Sequence, residues 1–163
     1  MEHQISISRE VKNLGHNNSA ALIKKAVNMA LEAEGVDVPC LVSVMLTDDE
    51  GIRRVNREFR DVDRATDVLS FPMNELTPGD FDPEMCETDP DSGLILLGDM
   101  MISVPRCEEQ GEEFGHGYER EIMYLTVHSV LHLLGYDHMD EGAQKAQMRG
   151  REEAIMSQLG LER

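Results

Sequence analysis

His128-Ser129-Val130-Leu131-His132-Leu133-Leu134-Gly135-Tyr136-Asp137-His138 holds half of the chain's six histidines within eleven positions. His128 and His132 are four residues apart, so on a helix their side chains lie one turn apart on one face. Gly135 tolerates a positive φ and can end that helix. The three residues that follow span up to about 10 Å, enough to bring His138 back toward the pair. Three imidazoles converging in this way predict a site for one zinc ion per chain, with a fourth coordination position open to water. Iron and nickel accept the same ligands. Three unconnected histidines are the plain alternative. The order of helix pair, breaker and third ligand argues against it.

Working outward, the helix that carries the pair is predicted from about Tyr118 to Leu134. Glu121 precedes His128 by seven residues and shares nearly the same face. It either accepts an N–H from a ligand imidazole or is a solvated acid near the helix start. Asp137 either orients His138 or caps the turn, and His116 is placed outside the site. The spacing matches the zinc-protease pattern HExxHxxGxxH except that Ser129 stands where the general-base Glu belongs. A peptidase needs that carboxylate to move protons, which argues against the nearest enzyme class. Zinc alone lowers the pKa of its water to about 7, so hydrolysis of a substrate with a better leaving group is still accessible.

The rest of the chain alternates short strands with helices. Ile5, Ile7 and Arg9 alternate with serines as a strand does. Ser19 is the expected cap of a helix to about Glu34, stopped by Gly35. Leu41–Leu46 reads as a strand, residues 49 to 59 as a helix capped by Thr47, Asp48 or Asp49, and Val68–Phe71 as a strand stopped by Pro72. Residues 74–93 combine three prolines with many acids and are expected to form an exposed, mobile acidic loop. Leu94–Leu97 and Met100–Val104 read as a strand interrupted at Gly98–Asp99, Pro105 as the start of a short helix, and residues 141 to 159 as a last helix. The expected architecture is one α+β domain over residues 1–163. A small mixed sheet of about four strands packs with about five helices, one of them a metalloprotease-like histidine-bearing helix.

The chain has 163 residues, with 32 acids against 15 bases and a formal charge of −17. Its hydrophobic fraction of 40% and its length suffice for a real core, so disorder of the whole chain is excluded. With 4% aromatics, no Trp and 11 Met, that core is expected to be aliphatic and Met-rich. No apolar run approaches the roughly 20 residues that span a bilayer, and the start does not read as a signal peptide. Cys40, Cys86 and Cys107 are odd in number and far apart, which fits a reducing, cytoplasmic setting. The acidic balance argues against broad, non-specific nucleic-acid binding but allows one local basic groove. Arg53, Arg54, Arg57, Arg60 and Arg64 supply a third of all Lys and Arg. Residues 53, 57, 60 and, if the helix extends that far, 64 are spaced to share a helix face, as a phosphate handle or as a solvated face. The pairs Glu108/Glu109, Glu112/Glu113 and Glu152/Glu153 read as solvated helix faces. The chain carries no G-x-S-x-G, P-loop or dinucleotide fingerprint.

Leu97-Gly98-Asp99-Met100-Met101-Ile102-Ser103, Glu121 and the run His128 to His138 resemble the bacterial YbeY endoribonucleases, the rRNA maturation factors. Asn56-Arg57-Glu58-Phe59-Arg60, Asp63 and Thr66-Asp67-Val68-Leu69-Ser70-Phe71 match a second motif of that family. The resemblance implies zinc on His128, His132 and His138. It also implies a single-strand-specific, metal-dependent RNase acting on the 3′ end of small-subunit rRNA and in ribosome quality control. The family's functional arginine falls on Arg60, so Arg60, His128, His132 and His138 are the expected catalytic residues. Arg57, Arg60 and Ser70 are expected to contact substrate. The attacking group is either zinc-bound water or an RNA 2′-hydroxyl. Expected partners are single-stranded RNA, the small ribosomal subunit and its proteins, with neither DNA nor membrane. Ser129 departs from the family, which usually has glycine there. That bears on how closely substrate or a neighbouring strand approaches the helix. The alternatives are a zinc metallopeptidase, or a non-catalytic ribosome-assembly factor with a structural metal.

Overall fold

Cys40, Val42, Val44 and Leu46 are buried while Leu41, Ser43 and Met45 between them are only partly so. This period of two makes β2 (Cys40–Thr47) a strand with one fully covered face. The computed structural model describes residues 2–137 and 142–161. Strand β1 (Gln4–Arg9) and strand β4 (Ile95–Ser103) run parallel to β2 on either side of it. Strand β3 (Val68–Pro72) pairs antiparallel with β4 and forms an edge. The sheet order is β1-β2-β4-β3, and with five helices this is the mixed, four-stranded α+β layout expected from the sequence.

Helices α1 (Ser19–Ala33), α3 (Val104–Glu113), α4 (Gly117–Leu133) and α5 (Ala143–Gln158) contribute with the sheet to the main core. Ile23, Val27 and Leu31 of α1 and Ile122, Val130 and Leu133 of α4 meet Val42, Val44, Leu97 and Ile102 there. Helix α2 (Asp49–Arg60) belongs to a smaller cluster of Ile52, Leu69 and Met101, with Met45, Val55 and Phe71 against it. Leu69 and Phe71 thus point away from Ser70, as alternate residues of a strand must.

Several local expectations need correction. Asn18, not Ser19, occupies the cap position of α1 and makes no side-chain cap bond. The Ser19 hydroxyl is buried, where it donates to the His16 carbonyl at 2.7 Å and meets the Tyr118 hydroxyl at 2.7 Å. Asp48 caps α2 by accepting from the Gly51 N–H at 2.8 Å. The interruption expected at Gly98–Asp99 is absent, because β4 is continuous through it. Leu41 pairs with Leu96 and Val42 with Gly98, so Leu97 is the extra residue of a bulge. A side chain at Gly98 would meet the Phe71 carbonyl oxygen at 2.3 Å. Pro72 is the last residue of β3 and not merely its stop, which an edge strand tolerates. The acidic segment 74–93 is largely exposed, yet it sends Leu76, Phe81 and Cys86 against the main core. Its Glu87 carbonyl accepts from the Leu96 N–H at 2.9 Å, and Asn74 bonds both Leu96 and Glu87 at 2.8 Å. Among the described residues no helix is long and apolar enough to cross a membrane.

Candidate functional site

Helix α4 presents His128 and His132 on successive turns, their ring centroids 4.7 Å apart and their planes at 81°. The helix ends where the sequence places its breaker, with Gly135 at φ 101°. A Cβ there would lie 2.1 Å from the Leu76 carbonyl oxygen, so the turn admits glycine alone. The His132 Nδ1 lies 3.0 Å from the Tyr136 carbonyl oxygen in that turn. A carbonyl only accepts, so Nδ1 carries the hydrogen and Nε2 of a neutral ring carries the lone pair. The His128 Nδ1 is bonded in close contact to the Glu152 carboxylate of α5, which fixes the same tautomer.

Glu152 is buried and also accepts from the Tyr124 hydroxyl at 2.8 Å. Burial alone would raise its pKa. The hydrogen bond and charge of His128, with help from Tyr124 and Arg149, outweigh it and hold the carboxyl below the usual range. Glu152 therefore stays an acceptor, and both imidazoles aim Nε2 at one point. The two Nε2 atoms are 3.1 Å apart. Nitrogens that close need a shared proton or a cation between them. Two Zn–N bonds of about 2.0–2.1 Å at a tetrahedral angle separate their nitrogens by about 3.3 Å. The donor set, its spacing and its anchored tautomers fit zinc. His138, the expected third ligand, lies outside the described residues.

His128 and His132 open into a cleft of about 440 Å³ whose other walls include Arg60, Asp67, Ser70 and Asp137. The structure thus brings Arg60 and Ser70 to the histidine pair. Arg57 is not among the residues lining that cleft; it lies 4.0 Å from Asp63. Two of the remaining arginines are held by acids. Arg53 pairs with Asp63 at 2.8 Å and Arg54 with Glu10 at 2.8 Å. Helix α2 stops at Arg60 because Asp61 turns left-handed at φ 56°, so Arg64 does not continue the face.

The Ser129 side chain is fully buried and its hydroxyl lies 2.6 Å from that of Ser70. Strand β3 therefore approaches α4 closely despite the side chain at position 129. Among the described residues Glu121 does not hold a site histidine. Its carboxylate bonds His116 at 2.8 Å and Gln110 at 2.7 Å, and Gln110 reaches on to Asp67 at 3.3 Å. The reading of Glu152 as a solvated acid is also corrected. Its signal was present in the sequence: Glu152 falls at helical spacing within the stripe Met148, Ile155 and Met156, the buried face of α5.

The fold is of the α+β class, and its cleft joins a histidine pair on a helix, one ring steadied by a buried carboxylate, to an arginine. The profile of the family described as Endoribonuclease YbeY matches residues 4–160, and the chain belongs to that family. An Endoribonuclease YbeY of Clostridium botulinum (strain Loch Maree) is 42% identical over 99% of this chain and 96% of its own length. One from Acetivibrio thermocellus is 45% identical over 87% of each chain. A solution structure from Thermotoga maritima is similar at a TM-score of 0.56 and 25% identity, covering 96% of this chain and 92% of that one.

Proposed function

We propose that this chain is a zinc-dependent endoribonuclease that cuts single-stranded RNA, with the 3′ end of small-subunit rRNA as its target in ribosome maturation and quality control. The observation that carries the reading is the pair of Nε2 atoms 3.1 Å apart at the foot of a cleft walled by Arg60. Relatives named endoribonuclease along nearly the whole chain supply the substrate class. His128 and His132, with His138, hold one zinc ion. When bound, the ion supplies a Lewis acid that acidifies water and polarises a phosphate oxygen. Arg60 has no ion-pair partner among the described residues, and its planar fork binds a phosphate and offsets the charge that grows on it. Glu152 and the Tyr136 carbonyl hold the two rings in register. The reading places the protein in the cytoplasm, on the small ribosomal subunit and its proteins. The peptidase reading is disfavoured because Ser129 stands in the place of the base and its hydroxyl is engaged by Ser70.

The test is elemental analysis of the purified protein combined with incubation on a single-stranded RNA oligomer, with His132→Ala and Arg60→Ala alongside. Zinc near one equivalent and cleavage by the parent are expected. His132→Ala should lose both, and Arg60→Ala should keep the metal while losing most of the cleavage. A 2′,3′-cyclic phosphate product marks attack by the RNA 2′-hydroxyl, and a 5′-phosphate marks attack by water. Full cleavage by a metal-free His132→Ala protein would refute the reading.

A further inference from the structure

Two pairs of consecutive residues straddle a rim between the histidine cleft and a second groove. On the last turn of α2, Arg60 lines the cleft and Phe59 lines the groove. On β3, Ser70 lines the cleft and Phe71 the groove, as the alternation of a strand requires. The groove, about 450 Å³, lies over the face of the sheet that α2 covers only in part, and Met45, Asp99 and Met101 form its floor and wall. Phe59 is 71% exposed. Its ring meets that of Phe71 at 66° with centroids 6.0 Å apart. A side chain so exposed adds little to the core. Exposed aromatics beside cationic side chains are what single-stranded nucleic acids use for stacking, because every base has an apolar face. The charge agrees at the rim: Arg60, next to Phe59, is the arginine of α2 with no ion-pair partner among the described residues.

We propose that this groove receives one base of single-stranded RNA, stacked on Phe59 against Phe71, while Arg60 holds the adjoining phosphate on the cleft side of the rim. Asp99, exposed at the groove, accepts N–H groups from the edge of that base. The inference rests on the endoribonuclease reading and adds to it a subsite that selects strands whose bases are unpaired. A paired base has its stacking face covered and cannot enter.

The experiment measures fluorescence anisotropy of a 2′-O-methylated single-stranded RNA oligomer, and of the same oligomer with its bases removed at consecutive positions. The parent is compared with Phe59→Ala, Phe59→Trp and Arg60→Ala. Phe59→Ala should bind the intact oligomer about tenfold more weakly and the abasic one as the parent does. Phe59→Trp should bind both oligomers as the parent does, and Arg60→Ala should weaken both. Equal melting temperatures would establish that the exposed position has not perturbed folding. Intact-oligomer binding unchanged in Phe59→Ala, or equal loss on both oligomers, overturns the base pocket. So does a dimer in sedimentation that Phe59→Ala dissociates, since the groove would then belong to a second copy of the chain. A parent that cuts RNA with Phe59→Ala indistinguishable from it sinks only this inference. A parent that neither binds nor cuts the oligomer sinks the endoribonuclease reading beneath it.

Discussion

Ser70 on β3 and Ser129 on α4 meet hydroxyl to hydroxyl at 2.6 Å, so the edge strand that walls the cleft is tied directly to the helix that carries both histidines. The bond sits against a side chain with no solvent exposure. Removing it leaves the Ser70 oxygen facing carbon, a loss of about 1 kcal/mol. Ser129→Ala should therefore lower stability by about 1 kcal/mol. Ser129→Gly should cost about 2 kcal/mol, because glycine inside a helix adds about 1 kcal/mol of its own. Urea denaturation of the three proteins measures both steps.

Glu152 and Glu153 are neighbours in sequence with opposite fates. Glu152 anchors His128, while Glu153 is exposed and pairs with Arg149 at 3.7 Å. Carboxylates that steady a metal-bound histidine are worth roughly 10–100-fold in metal affinity. Glu152→Ala should weaken zinc binding by that factor, and Glu153→Ala should leave it unchanged. Competition against a chelator of known affinity distinguishes them.

A turn glycine and a helix glycine should respond oppositely to one added methyl group. Gly135→Ala drives a Cβ into the Leu76 carbonyl at 2.1 Å and forces a left-handed alanine. It should cost several kcal/mol, on the order of a severe backbone clash. Gly150 lies exposed within α5 with nothing within 4 Å of its would-be Cβ. Gly150→Ala should stabilise the protein by about 0.5–1 kcal/mol. Thermal melts of the two variants give the opposite signs.

Alkaline stability follows from the tyrosines. Burial raises all three, and Tyr118 goes from 10.0 to about 12, with the Ser19 hydrogen bond acting the other way. The folded protein thus favours the protonated phenol. Between the ordinary value and about 12 it binds more protons than the unfolded chain, so stability falls as pH rises. The contribution is complete below pH 10 and is lost through that window. Tyrosinate absorbance should appear together with unfolding, not ahead of it. A phenolate signal near the ordinary value in a still-folded protein would contradict the burial of Tyr118.

The histidine helix was readable because its information is local: a spacing of four, a 3.6-residue period and a glycine where φ turns positive. Glu152 was not readable as a partner of His128, since their contact is made by packing two helices 24 residues apart in the chain. The acid within an apolar stripe was the available sign. The arginine stripe holds as far as its helix runs, with Arg53 and Arg57 both reaching Asp63. Asp61 ends α2 in a left-handed turn, and Asp63 folds back to take Arg53. Strand β4 runs through Gly98 without the expected interruption, because a residue with no Cβ can pass the Phe71 carbonyl. Arg60 and Ser70 reached the site through motif resemblance, and their meeting with the histidines depends on an edge strand whose neighbours no local pattern reveals.

The carboxylate that locks His128 arrives late in the order of synthesis. A ribosome makes the two imidazoles first and residue 152 only afterwards, and until α5 folds back on α4 the first ring is free to rotate. Until then His128 lacks this anchor, while the Tyr136 carbonyl already holds His132. The anchoring of the first ring thereby waits on a segment made after the helix that carries it.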